Sequence, residues 1–483
     1  MSLLQCFWMV AKMACPLIVG MLLYLLVQLA NTYYVGNLNQ PELLAGVGMG
    51  NMLVNVLCFA VIQGLNGALE TLVSQSYGAG KYQECGIFLN RGKVVASLVM
   101  IPIIIIYLLA DKILIALHQD PEIAYIAKRY CCILIPGIWA QSMFDATRKF
   151  LSAQFEIHVN LYVQLVTLII HLVICYLFVV TFQWKDVGAA LATNITYILN
   201  MIGIDAYCVL NKKIQRTHQL IPTTQSFKNL GTYLGIGIPG ACMLCFEWWV
   251  FELLAIFSGL MSVDALAAEV IIVNLVTLIF MVPLGTAYAA SAFTGYFLGQ
   301  QKIDKAKKYS RLTLAFNVFV TIIILIILGT LHEQIASLFT KDQKIVAIVN
   351  DVLFVLMVYI FFDTIHGVQS GIIRGLGLQV AGGIYTLVCY YFIGLPLALW
   401  LAFGKDKGVY GLWLGFSIAC IVLDIGFLCI IECPSWNKIS ENIQKKIDQD
   451  KARTVTDSIK MGKRLDDEKY AGFSAANESA KAF

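Results

Sequence analysis

Over 483 residues the chain is 59% hydrophobic and only 13% charged, with a formal net charge of +4. Soluble domains carry about a quarter charged residues, so this composition and a mean hydropathy of +0.76 make lipid the solvent for most of the chain. No basic patch interleaved with aromatics points to nucleic acid, and the 14 cysteines are scattered, several inside apolar runs, where they read as small buried apolar residues.

The chain opens on an apolar run longer than a signal-peptide core, which reads as a first membrane span over 9–33 and carries Gln28 and Asn31. A second follows over 44–70, with Gln63 and Asn66, and then 94–117, 124–147, 159–182 and 187–210. A basic stretch, 212–229, precedes a span over 230–260 that holds "CFEWWVFELL", with Glu247, Trp248 and Glu252. The span over 265–293 carries Glu269 and Asn274. Further spans cover 312–331, 345–369 (with Asp363 and His366), 381–403 and 410–432, and the polar tail over 433–483 reads as largely disordered, Ile443 and Ile447 allowing a surface helix. Backbone groups must be paired within lipid, and no period-two alternation appears, so the expected fold is an all-α polytopic membrane protein of about twelve transmembrane helices.

The connecting segments fall into two sets. One carries roughly fifteen lysines and arginines, the other six to eight, which assigns the first set and both termini to the cytoplasm. Within the first set, "GALETLVSQSYGAGKY" and "GTAYAASAFTGYFLGQQ" place Gly64 against Gly285 and Gly78 against Gly299 at one constant offset. "RKFLSAQ" and "IRGLGLQ" likewise place Lys149 against Arg374 and Gln154 against Gln379. Six spans per repeat keep both copies in one orientation, so the expectation is two pseudo-symmetric six-helix bundles, 1–211 and 230–432, joined by a cytoplasmic linker over 212–229. Glu70, Lys149 and Arg374 read as residues that fix loops, cap helices or meet headgroups at the cytoplasmic face.

Taken in order, "ALETLVSQSYGAGKY", "GIPGACMLCFEWWVFELL", "MVPLGTAYAAS", "IIRGLGLQ", "HLVICYLFV" and "YYFIGLPLALWLAF" give the chain its family: it resembles a multidrug and toxic compound extrusion (MATE) transporter of the eukaryotic type over residues 10 to 432. That resemblance implies a cation-coupled antiporter of two six-helix lobes. It also implies that acids on the seventh and tenth spans, Glu247 and Asp363 here, form a proton site. Glu252 matches a further acid of animal members. The eighth-span acid of some members falls on Asn274, with Glu269 five residues earlier, and the first-span aspartate of many prokaryotic members falls on Asn31.

The residues carry the same reading physically. An ionised acid at the bilayer centre costs on the order of 3 kcal/mol on insertion scales, so a buried one has a partner or a task. Burial favours the neutral form of a carboxylic acid and a nearby cation favours the ionised form, so one carboxyl group makes a proton and a cationic solute compete. Trp248 offers a π face to a cation; Gln28, Asn31, Gln63, Asn66, Asn274 and Glu269 are candidate cavity-lining groups, while His171 and His366 read as helix-packing hydrogen bonders. The expected function is export of organic cations and xenobiotics in exchange for protons, by a monomer in the plasma membrane or an acidic organelle membrane. An exporter of organic anions or neutral glycosides, a sodium-coupled carrier and a lipid-flipping relative are the alternatives. No nucleophile is set beside a base, no metal-ligand array appears and no Walker sequence is present, so neither an enzyme nor a cofactor is expected.

Overall fold

The computed structural model describes residues 2–38, 40–219, 222–332, 334 and 342–445. Twelve helices among them are long and apolar enough to cross a membrane: α1 Leu3–Gly36, α2 Pro41–Gly78, α3 Tyr82–Leu108, α4 Pro121–Ser152, α5 His158–Thr181, α6 Lys185–Leu210, α7 Leu230–Met261, α8 Val263–Gly299, α9 Ile303–Thr330, α10 Gln343–Leu376, α11 Gln379–Gly404 and α12 Gly408–Glu432. The fold is all-α, and the chain is an integral membrane protein.

Most helices run past the ends of their apolar runs. The apolar run of α3 begins after Arg91 and Lys93, yet the helix starts at Tyr82 because its basic residues are satisfied by protein. Arg91 Nη2 donates to the Gln225 carbonyl at 3.3 Å and Lys93 pairs with Asp205 at 3.0 Å. At its other end α3 breaks at Leu109, and Ala110–Ala116 forms a separate short helix. Asp120 caps α4, its side chain accepting from the Glu122 and Ile123 amides, with Pro121 at the first helical position. Gly377, at φ 79°, ends α10 in the left-handed conformation that a Cβ disfavours. The loops at one face, which contains the end of α2 and the end of α10, bear most of the lysines and arginines; it is called the basic face below.

One apolar core is built from α7–α12 residues, among them Val250, Ile272, Leu356, Trp413 and Phe427. A second joins α1–α6 through Val47, Tyr107, Tyr130 and Ala190. Between these halves, α1 packs on α8 and α9 through Val10, Leu17, Leu284 and Phe316, and α2 packs on α7. The α2–α7 crossing is tight because Gly64 has no side chain: a Cβ there would sit 2.3 Å from the Ala241 Cα. Further along α2, a Cβ on Gly78 would lie 2.1 Å from the Tyr296 carbonyl oxygen of α8. Midway along α2 the helix widens into a π turn over Asn55–Phe59, and the Val56 carbonyl accepts from Trp249 Nε1 of α7 at 3.0 Å.

The basic stretch between α6 and α7 lies across the start of α3: Asn90 Nδ2 donates to the Gln219 carbonyl at 3.0 Å and Thr217 to Gln154 at 2.7 Å. After α12 the chain is helical again over 436–445, with Trp436 and Ile443 buried. That corrects the start of the expected disordered tail: Trp436 Nε1 donates to the Ile431 carbonyl at 2.8 Å and Ser440 to the Leu298 carbonyl at 3.0 Å. Ile447 and the rest of the tail lie outside the described residues.

Candidate functional site

Four helices of the second half bring acids and aromatics together. On α10, Tyr359, Asp363 and His366 recur at i, i+4 and i+7, which puts them on one stripe of the helix. Tyr359 donates to Asp363 Oδ1 at 3.0 Å. His366 Nε2 lies 3.4 Å from Glu247 Oε2 on α7, so the histidine bonds an acid rather than only packing helices. On α12, Trp413 Nε1 donates to Glu269 Oε2 of α8 at 2.8 Å, and one further acid, Asp424, is buried with neither oxygen hydrogen-bonded. Asp424 lies one turn before Phe427, whose ring packs on the His366 ring.

An aromatic shell ties these groups together. Phe251, one turn from Glu247, meets Tyr359 edge-on at 6.3 Å and Trp413 at 6.3 Å. The His366 ring packs on Phe427 of α12 at 4.9 Å and on Tyr390 at 6.3 Å. Glu247, Asp363, His366 and Asp424 are all nine-tenths or more buried, and His366 Nδ1 and the Tyr390 hydroxyl have no hydrogen-bond partner among the described residues. Among the described residues, no lysine or arginine pairs with Glu247 or Asp363 in this group. Its chemistry suits proton exchange among carboxyl, imidazole and phenol groups, and a cation held against rings.

The first half is organised differently. Asp145 of α4 is ion-paired to Arg148, lies 3.7 Å from Lys149 and accepts from Asn66 Nδ2 at 2.9 Å. Arg148 also sits 4.9 Å above the Tyr288 ring of α8. A small pocket is lined here by Tyr24, Gln63, Gln141, Asp145, Arg148 and Gln164.

A model of the family described as MatE matches the sequence twice, over residues 16–177 and 239–400. The chain belongs to the MatE family. Among curated relatives, multidrug and toxin extrusion protein 1 of Danio rerio is 29% identical over 430 residues, covering 89% of this chain and 72% of the relative. Protein DETOXIFICATION 9 of Arabidopsis thaliana is 29% identical and covers 92% of each chain. Among solved structures, the eukaryotic MATE transporter AtDTX14 superposes with a TM-score of 0.88 at 26% identity, covering 92% of this chain and 99% of that one. The chain is a membrane transporter of the MATE family.

On this MATE scaffold the residues singled out in the sequence take distinct places. Glu247 and Asp363 belong to the buried group of the second half, and Glu252 is half-buried on another face of α7. Glu269 has no exposed surface, so it lines no accessible cavity here. Asn274 is exposed, about three turns along α8 from Gly285, whose own face abuts Ile18 of α1. Trp248 is half-buried; its neighbour Trp249 bonds the α2 backbone. Asn31 Nδ2 donates to Thr193 of α6 at 2.7 Å and Gln28 Nε2 to Asn55 of α2 at 3.3 Å, which are helix-joining bonds, and Gln28 Nε2 also donates to Tyr24 within α1 at 3.1 Å. The Gln63 carbonyl accepts from Lys149 Nζ at 2.5 Å. His171 bonds Thr196 at 2.8 Å, a packing role.

Lys149 and Glu70 are each 3% exposed, and together with Arg374 they form ion pairs inside the protein, which corrects the expected headgroup contacts and loop fixing; the capping alternative stands, since Lys149 and Arg374 lie in the last turns of α4 and α10. Sequence reasoning leaves out Asp424 and Asp145. Asp424 stands alone in an apolar run, and only its spacing from Trp413 and Phe427, which puts all three on one face of α12, marks it. Asp145 carries a clearer signal, with Arg148 and Lys149 at i+3 and i+4.

Proposed function

We propose that this chain is a secondary antiporter that exports organic cations and xenobiotics in exchange for protons. Two lobes, 1–211 and 230–432, rock about the 212–229 linker, with the basic face and both termini cytoplasmic. The twofold match of the family model to the chain favours two lobes of common origin. The reading is carried by one observation: Glu247, Asp363 and Asp424 gather around His366 in a buried, aromatic-walled group of the second half, with Glu247 Oε2 3.4 Å from the imidazole.

Export follows from competition. An acid in a low-dielectric site holds a proton until a cation offers its charge instead. Loading from the cytoplasm then requires proton release, and a proton arriving from the acidic side expels the solute. Organic cations are favoured over anions because the buried acids of this group face aromatic rings and no Lys or Arg partner. The same group makes Glu247 and Asp363 the coupling acids. In this reading Asn274, on the exposed stripe of α8, and Trp248 line the cleft for the solute, and Glu252 is a second, half-buried acid on α7.

The test is transport of a fluorescent organic cation in proteoliposomes under proton and sodium gradients imposed separately. Wild type should respond to the proton gradient, and Glu247→Gln and Asp363→Asn should lose that response by at least about tenfold, a barrier change of about 1.4 kcal/mol. Proton-driven transport retained by folded Glu247→Gln would overturn the proposal, and a response to sodium alone would replace the coupling ion.

A further inference from the structure

The motifs that carry the internal repeat meet at the basic face, where Glu70 of α2 stands between two cations from different halves of the chain. Its Oε2 is 3.0 Å from Arg374 Nε of α10 and its Oε1 is 3.2 Å from Lys149 Nζ of α4. Three hydrogen bonds flank this pairing and cross the same boundary. Thr71 donates to the Arg374 carbonyl at 2.6 Å, Gln379 Nε2 donates to Thr71 at 2.6 Å and Gln75 Nε2 donates to the Gly375 carbonyl at 3.0 Å. Below them a Cβ on Gly295 would lie 1.9 Å from Ser74 Oγ, so α2 and α8 are in backbone-close contact.

We infer that Glu70 is a switching latch of the transport cycle: its bond to Arg374 holds the basic face shut, and its ion pair with Lys149 keeps the carboxylate's charge matched when that face opens. The inference rests on the rocking of two lobes proposed above, and not on the identity of the coupling acid. Opening the basic face must part α2 from α10 and α11, which breaks the Arg374 pair and all three flanking bonds.

A buried carboxylate stripped of its only cation would resist that step, because an unpaired buried charge costs several kcal/mol. Lys149 removes the obstacle. It belongs to the same half as Glu70, its side chain is 4% exposed and it is held by the Gln63 carbonyl at 2.5 Å. The departing charge is Arg374, whose side chain is already 13% exposed and near water. The latch therefore has two partners with opposite effects: Arg374 stabilises the closed basic face, and Lys149 lowers the penalty of leaving it. Glu70, Lys149 and Arg374 act as positioning residues for the lobes.

That asymmetry gives a test that a merely structural network fails. Spin labels at exposed Gln83 and Lys305, near the basic ends of α3 and α9, report the separation of the halves in the full chain, with exposed Cys15, Cys429 and Cys433 and other labelling cysteines replaced. Glu70→Gln and Arg374→Gln should each raise the population at the long distance relative to that at the short distance by roughly tenfold or more. Lys149→Met should move it the other way, since Glu70 then depends on Arg374 alone. Transport in Lys149→Met should fall with substrate KM little changed, because the slow step becomes opening. Wild-type distances in folded Glu70→Gln and Arg374→Gln, or a shift of all three variants in one direction, would overturn the latch. Glu247→Gln measured alongside keeps the readings apart: loss of coupling there with no effect of the latch variants rejects only the latch, and the reverse rejects only the coupling acid.

Discussion

The indole of Trp413 donates to Glu269 in a place where neither side chain has exposed surface. Replacing that indole by a phenyl ring removes the donor and leaves a buried carboxyl group unmatched, which costs about 1–3 kcal/mol. Trp413→Phe should therefore melt at a clearly lower temperature than wild type in detergent. Glu269→Gln keeps an oxygen facing the indole and should lose less; equal melting points for the two variants would contradict this account. At this scale the sequence displays the acids but not their partners. Glu269 is conspicuous in an apolar run, yet its donor lies 144 residues away. Tyr359, Asp363 and His366 are a different case, because their spacing already aligns them on one helix face, whereas the Glu247–His366 pair joins residues 119 apart.

Among whole helices, the crossing of α2 and α7 depends on a missing side chain. A Leu at position 64 would drive its Cβ into the Ala241 backbone, since even an alanine Cβ would stand 2.3 Å away. Overpacking of this kind costs about 1–3 kcal/mol, so Gly64→Leu should lower the melting temperature and open the basic face in the spin-label measurement; wild-type behaviour would show that the two helices can part there freely. Helix number was legible from the sequence because each apolar run is long enough to cross lipid by itself. Helix ends were not. Hydropathy stops at Arg91, Arg148, Lys149 and Arg374, but the helices continue because buried carboxylates, carbonyls and rings replace water around those cations, and only neighbouring elements supply such partners.

For the molecule as a whole, the chain beyond α12 belongs to the packed structure as far as it is described. Trp436 is 3% exposed and its ring lies under Lys307 Nζ at 5.7 Å. Trp436→Ala should cost about 3–5 kcal/mol, the usual range for removing a buried large aromatic, read as a lower melting temperature of the purified protein; a change within half a kcal/mol would mean that the 436–445 helix only rests on the surface. The sequence by itself determined that the chain lives in a bilayer, that it crosses about twelve times, that it has an internal repeat and which family it resembles. Those properties are sums over local apolar runs or matches of contiguous motifs, and each run partitions into lipid without reference to the others. Only the tertiary structure decided that Asp424 joins Glu247, Asp363 and His366, that Glu269 is sealed against Trp413, and that Glu70 stands between Lys149 and Arg374. The physical reason is that a charge in a low-dielectric interior takes its meaning from whatever lies within a few ångströms, and those neighbours come from helices far apart in the chain.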